Sequence, residues 1–194
     1  MTTPRRSRNP RGEGGRLREQ ILAAATELLD AGGDERAVTL RAVARRIGIA
    51  PPSIYPHFPD QQAIVRAVVR QGFADLARQL RLTAVEDPPR HLYAVCRTYL
   101  EFAQRHPHRY RAMFAANPLG AEAMAVLVES LTACVASGHC ASEAPAVDAI
   151  ALWLGLHGLA HQRAVANSFP WPTDITQRVA IPLARLTPAW RHQP

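Results

Sequence analysis

Apolar residues recur along most of this chain at the three- and four-residue spacing of an amphipathic helix. Leu17, Ile21, Ala24 and Leu28 form one such stripe and predict a first helix from about Leu17 to Ala31, ended by Gly32-Gly33. Leu40, Val43, Ala44 and Ile47 form a second stripe, with Thr39 placed to cap it and Gly48 placed to stop it in a left-handed conformation. Ile49 then turns inward as the apolar plug of the corner. A third, short helix is predicted near Pro51 to His57. Ala50 lacks a capping side chain, a loss of about 1 kcal/mol, but Pro51 and Pro52 carry no N–H and leave fewer donors to be capped. Pro56 cannot lie deep in a helix, because its ring would meet the carbonyl four residues back, so this element is short or kinked there. Asp60 caps a fourth helix reaching about Leu82, with Val65, Val68, Phe73, Leu76 and Leu80 inward.

Further helical patterns follow at Pro89–Arg105, Pro107–Ala116, Ala121–Ser137, Pro145–Asn167 and Asp174–Leu186. Gly and Pro mark the joints at Asp87-Pro88-Pro89, Asn117-Pro118, Gly138 and Pro170-Trp171-Pro172. No strand alternation and no internal repeat interrupts this series, so the expected fold is all-α with about nine helices. Two short helices joined by a tight turn over 39–57 have the form of a helix-turn-helix, whose second helix enters the DNA major groove.

Composition agrees with a nucleic-acid partner. The 194 residues carry a net charge of +7, and 47% are apolar, enough for a substantial core. Every cationic side chain is Arg, which points first to a coding bias; each Arg still offers a fixed donor fork to phosphate or guanine. Residues 1–15 lack apolar periodicity and form an expected disordered basic arm (Arg5, Arg6, Arg8, Arg11), either a solvated tail or an arm on DNA. Cys96, Cys134 and Cys140 are odd in number and without CxxC spacing, which fits a reducing cytoplasm better than a disulfide scaffold. There is no apolar leader core near the N-terminus, and the apolar run Ala149–Leu156 is too short to span a bilayer, so a cytoplasmic protein with no membrane partner is expected.

Residue positions suggest the contacts. Thr39, at a helix N-terminus, can donate to phosphate, and Arg41 lies on the outer side of its helix. Ser53, Tyr55 and His57 flank the inward Ile54 and Phe58 and should face DNA.

The run Thr39–Gln62, with its capping Thr, Gly48-Ile49 corner and Tyr55-x-His57-Phe58-x-Asp60 exit, closely resembles the TetR family of bacterial transcriptional repressors, over roughly residues 16–70. His106-Pro-His-Arg-Tyr110-Arg-Ala-Met113-Phe114 and Trp153-x-x-x-His157-Gly158 are similar to segments of one TetR subgroup. The resemblance implies a helix-turn-helix domain over 16–60 and a ligand-binding and dimerisation domain over 61–194. It also implies that Tyr55 and His57 contact backbone phosphates, with Pro51, Pro52 and Ser53 nearest the base edges. Two departures stand out. Gln61 occupies a position where the family often has a phosphate-binding Lys, and Ala50-Pro51-Pro52 replaces the usual Ser or Thr. Thymine-methyl contacts and shape readout should then carry more of the specificity.

In the C-terminal half, the expected effector-lining residues are Phe102, Tyr110, Met113, Phe114, Met124, Trp153 and His157, aromatics and Met with a few polar tips suited to a neutral or weakly polar apolar ligand. The plain alternative for each is a core position. For dimerisation, Ala151, Gly155 and Gly158 form a small-residue face, and Ile175, Val179, Leu183 and Leu186 a stripe on a last helix bent at Pro182. The resemblance implies that two such helices from each subunit form a four-helix bundle. The expected protein is thus a homodimeric, ligand-responsive regulator on a near-palindromic double-stranded DNA operator, a repressor by the family's usual sign.

No nucleophile elbow, phosphate loop, His-Glu-x-x-His or dinucleotide fingerprint is present, so no enzyme, cofactor or metal is expected. Two alternatives remain on the same fold: a metal or thiol sensor using His106, His108, His139, Cys134 and Cys140, and a dimeric scaffold whose DNA binding has decayed.

Overall fold

A computed structural model describes residues 13–32, 34–83, 85–116, 120–165 and 169–187. The basic arm through position 12, the second glycine of Gly32-Gly33 and the Asn117-Pro118 joint lie outside the described residues. Among the described residues there are eight α-helices, two 3-10 turns and no strand, beyond one isolated bridge between Cys140 and Leu186. The chain divides into two compact units, with the division between Arg70 and Gln71, ten residues past the expected boundary and inside a helix.

The N-terminal unit holds α1 (Glu13–Gly32), a 3-10 turn at Glu35–Ala37, α2 (Leu40–Arg46), a second 3-10 turn at Pro51–Ile54 and the start of α3 (Gln61–Arg81). The third element of the helix-turn-helix is therefore a 3-10 turn carried on by turns through His57, not an α-helix; with two prolines at its start and Pro56 behind, the usual i to i−4 ladder cannot propagate. Ile21, Ala25, Leu29, Val38, Val43, Ile54, Phe58 and Ile64 are almost fully buried. Apart from Ala25, each of these side chains contributes roughly 1.5–3 kcal/mol of burial. Leu17 and Leu28 are only half-buried, because the inward face of α1 passes through Ile21, Ala25 and Leu29.

The C-terminal unit holds the rest of α3, then α4 (Pro88–Arg105), α5 (Pro107–Ala116), α6 (Ala121–Ala136), α7 (Pro145–Val165) and α8 (Ile175–Leu183). Helices α4, α6 and α7 pack against one another, and α8 lies on α7 and α4. Asp87 accepts from the Arg90 N–H at 3.0 Å, with Pro88 and Pro89 as the first helical residues, an N-terminus built as the prolines predict.

The last helix differs from expectation. It ends at Leu183 rather than Leu186, so Pro182 lies in its final turn instead of bending a longer helix. Arg185 takes the left-handed conformation (φ 48°) that ends it, and Leu186 N–H reaches back to Ile181 O at 3.0 Å. An Arg there costs on the order of 1–2 kcal/mol, offset by its surroundings. Arg185 Nε lies 3.1 Å from Asp148 Oδ2, its carbonyl accepts from Ala141 N–H at 3.0 Å, and the buried Ser142 hydroxyl donates to the same carboxylate oxygen at 2.6 Å. Leu186 is thereby buried against Cys140 after the helix has ended.

Candidate nucleic-acid interface and effector cavity

The corner of the helix-turn-helix is made by local chemistry. The Thr39 hydroxyl oxygen accepts from Ala42 N–H at 3.1 Å, leaving its own O–H to donate outward. At the other end Gly48 (φ 69°) closes a Schellman turn, with Ile49 N–H on Ala44 O at 3.0 Å and Gly48 N–H on Arg45 O at 3.4 Å. Ile54 and Phe58 anchor the following turn in the core, and the Arg18 guanidinium lies 4.9 Å above the Phe58 ring. With those two residues inward, Tyr55 is 56% exposed, and Pro51 and Pro52 are exposed, while Ser53 and His57 are half-buried.

Thr39 and Arg41 are exposed on α2 as expected. Arg45, one helical turn beyond Arg41, is also exposed and has no partner among the described residues, an i+4 spacing readable in the sequence. Arg46 is committed differently: its Nε and Nη2 donate to Glu27 Oε2 at 3.0 and 2.7 Å. Gln61 has a role that its place in the sequence did not suggest. Its amide N–H donates to Glu35 O at 3.2 Å and ties the first 3-10 turn to the start of α3, leaving one N–H for a phosphate.

In the C-terminal unit an aromatic cluster joins α4, α5 and α7. Tyr99 and Tyr110 hydroxyls lie 2.8 Å apart, and Tyr110 Oη lies 2.7 Å from His157 Nδ1. Trp153 stacks on the His157 ring (centroids 5.2 Å, 15°), and Phe114 packs 4.7 Å from His157 and 4.6 Å from Tyr110. Burial, reinforced by the neighbouring His161, holds the His157 pKa below its usual value. Burial pushes both phenols up, so Tyr99 and Tyr110 stay protonated as hydrogen-bonding groups.

This cluster forms one wall of a cavity of about 250 Å³ lined by Pro107, Tyr110, Arg111, Phe114, Ala115, His157, His161 and Ala164. Three of the seven expected effector residues, Tyr110, Phe114 and His157, line it, with Trp153 stacked behind. Phe102 and Met113 do not: both are completely buried core, on the inner faces of α4 and α5. Met124 lies elsewhere, on an open apolar hollow of about 480 Å³ with Ala125, Val128 and Ile150. The missed lining residues were available as helical faces, Pro107, Arg111 and Ala115 around Tyr110 and Phe114, and His161 and Ala164 after His157.

The small-residue face also divides. A Cβ on Gly155 would meet Leu183 Cδ1 and Val179 Cγ1 at 3.0 Å or less, so this glycine admits the chain's own α8. Val179, Leu183 and Ile175 are half-buried, Leu186 is buried, Ala151 is half-buried, and Gly158 is exposed with open space around it. Among the described residues no three His, Cys, Asp or Glu side chains gather as a metal site. Cys96, Cys134 and Cys140 are buried, and burial raises the first two thiols to about 12, which removes the thiolate a redox sensor needs. No helix among the described residues is long and apolar enough to cross a membrane.

Comparison with known proteins covers both units. Residues 21–68 match the family model "bacterial regulatory proteins, tetR family", and residues 92–186 match "tetracyclin repressor-like, C-terminal domain". An uncharacterized HTH-type transcriptional regulator of Mycobacterium tuberculosis is 36% identical over 69 residues, 36% of this chain and 34% of its own length. The chain thus spans about a third of that relative. A second such regulator from the same species is 28% identical over 186 residues, 88% of this chain and 83% of its own. A solved protein of unknown function from Rhodococcus sp. RHA1 shares the fold, with a TM-score of 0.77 at 22% identity over 95% of this chain and 98% of that one. From its two matched domains and its helix-turn-helix, the chain belongs to the TetR family of DNA-binding transcriptional regulators.

Proposed function

We propose that this protein is a cytoplasmic homodimeric repressor that binds a near-palindromic operator and releases it when a small molecule enters the cavity between α5 and α7. The observation that carries the reading is the pairing, in one chain, of exposed Tyr55, Arg41 and Arg45 in the helix-turn-helix with an aromatic cavity that has a hydrogen-bonding histidine. No catalytic role is assigned to any residue. The buried thiols speak against the thiol-sensor alternative.

Ligand and DNA binding are linked here through α3. This helix is continuous from Gln61 to Arg81. In the C-terminal unit, Gly72 is packed so closely under Met113 that a Cβ would lie 2.7 Å from its sulfur, Asp75 lies 3.9 Å from Arg109, and Phe73 meets Phe114. A ligand that displaces α5 therefore acts on α3, and it shifts DNA affinity only as far as it prefers one position of that helix.

The second copy docks on α7. Val147, Ile150 and Leu154 are 63%, 46% and 56% exposed at i, i+3 and i+7, and the stripe continues through exposed Gly158. This refines the expected interface, because Gly155, Val179 and Leu183 pack on one another within the chain. A twofold dimer then reads half-sites about 34–36 Å apart or a multiple of that.

The test is fluorescence anisotropy on duplex DNA from upstream of the protein's own gene, titrated with salt, for the wild type and an Arg41→Ala/Tyr55→Phe variant. Selective binding that falls steeply with salt and weakens in the variant supports the reading head. Absence of binding to any duplex at low salt contradicts it and favours a scaffold without DNA-binding ability.

A further inference from the structure

The hydrogen-bond line in the cavity wall has a fixed direction. Tyr99 is almost fully buried, and its hydroxyl proton has one acceptor among the described residues, the Tyr110 oxygen. Tyr99 must then pass its single proton to Tyr110 at 2.8 Å, and Tyr110 its own to His157 Nδ1 at 2.7 Å. The opposite order would leave the buried Tyr99 proton with no acceptor among the described residues. His157 is therefore held as the tautomer protonated at Nε2. That N–H has no partner among the described residues, on a ring that lines the cavity.

The remaining polar lining holds one permanent cation, Arg111. Arg111 and His161 border the cavity, and no carboxylate does. Arg111 has an interaction of its own within the chain. The walls are otherwise the Tyr110 and Phe114 rings with Pro107, Ala115 and Ala164. A dry cavity of about 150 Å³ accommodates benzene, so the 250 Å³ here has room for one ring and a short substituent.

We propose that the cavity takes a single-ring aromatic carboxylic acid, its ring against Phe114 and Tyr110 and its carboxylate accepting from His157 Nε2–H beside Arg111 and His161. The proposal rests on the reading of the C-terminal unit as an effector domain. It departs from the neutral ligand expected from sequence, because Arg111 and His161 are far apart in the chain and only the packing of α5 against α7 brings them to one site.

Calorimetric titration of the full-length protein with benzoate and phenylacetate, beside benzamide and toluene, tests it in the wild type, His157→Phe and His157→Gln. The acids should bind about tenfold or more tightly than benzamide, as a charge-assisted hydrogen bond requires. His157→Phe should erase that preference while leaving toluene within about twofold, and His157→Gln, which keeps an N–H donor, should restore part of it. Equal binding of acid and amide, or a preference that survives His157→Phe, overturns the acid assignment. If the neutral probes then still loosen DNA, the effector reading stands without it. Benzoate that binds through His157 but leaves DNA affinity unchanged upholds the acid site and contradicts the effector reading. No binding of any probe overturns the proposal.

Discussion

Phe73 on α3 meets Phe114 on α5 edge to face, with ring centroids 5.3 Å apart at 83°. The second ring is itself a wall of the cavity, 4.7 Å from His157. One aromatic contact thus joins the cavity wall to the C-terminal part of α3. Phe73→Leu should keep effector affinity within about threefold while shrinking the effector-induced fall in DNA affinity, a coupling of about 1–3 kcal/mol in comparable systems. DNA titrations with and without saturating effector measure it; unchanged coupling would remove Phe73 from the route.

Arg41 and Arg45 are solvent-exposed one turn apart, and neither has a partner among the described residues. If both hold phosphates, Arg41→Ala and Arg45→Ala should each weaken binding to all duplexes alike and lower the salt slope by about 1 for each phosphate no longer neutralised. Tyr55→Phe, which removes a hydroxyl donor, should likewise weaken binding to all duplexes alike. A variant that changed sequence preference instead would place that residue on a base edge.

Stability should fall on acidification through His157. Its folded pKa lies below the usual 6.5, first because burial disfavours the charged ring and then because of His161. The unfolded chain therefore takes up this proton at higher pH than the native state does, so stability rises with pH across that window. The contribution is complete above about 6.5 and is lost as pH falls through the folded pKa. Thermal unfolding between pH 8 and 5 should show a smaller acid-induced drop of Tm in His157→Gln than in wild type; parallel curves would contradict the assignment.

Leu154→Glu and Ile150→Glu place charge on exposed positions of α7 and should yield folded monomers by sedimentation, with far-ultraviolet spectra unchanged. Gly155→Val should instead destabilise the fold, because its side chain would collide with Leu183 and Val179 of the same chain. Dimers that persist with both charged variants would move the interface elsewhere.

Asp148 is buried at the start of α7, where it holds both Ser142 and Arg185. Asp148→Ala should cost about 2 kcal/mol in denaturant unfolding, since it leaves the Ser142 hydroxyl unpartnered and releases the left-handed Arg185 turn. A change under about 0.5 kcal/mol, the range of ordinary surface substitutions, would show the turn to be held by its backbone bonds alone.

Helix limits were readable wherever a residue with special backbone chemistry marked them. Thr39, Gly48, Asp60 and the Asp87-Pro88-Pro89 joint all do in the structure what their side chains predict. The end of α8 was not readable. Its stop is an Arg in a conformation associated with glycine, and Leu186 continues the apolar spacing although a turn, not a helix, buries it. For the cavity, aromatic residues alone were a poor guide, since periodicity does not distinguish Phe102 and Met113 in the core from Tyr110 and Phe114 at a surface opening. Two of its polar lining residues, Arg111 and His161, come together only through the packing of two distant helices.

Selection of the full-length protein against randomised DNA duplexes, followed by titration of the winners, tests the central claim most directly. The account predicts a near-palindromic consensus with half-sites one helical turn apart or a multiple of it, bound selectively and released on adding effector. Recovery of no consensus, with no binding to any duplex at low salt, would contradict it.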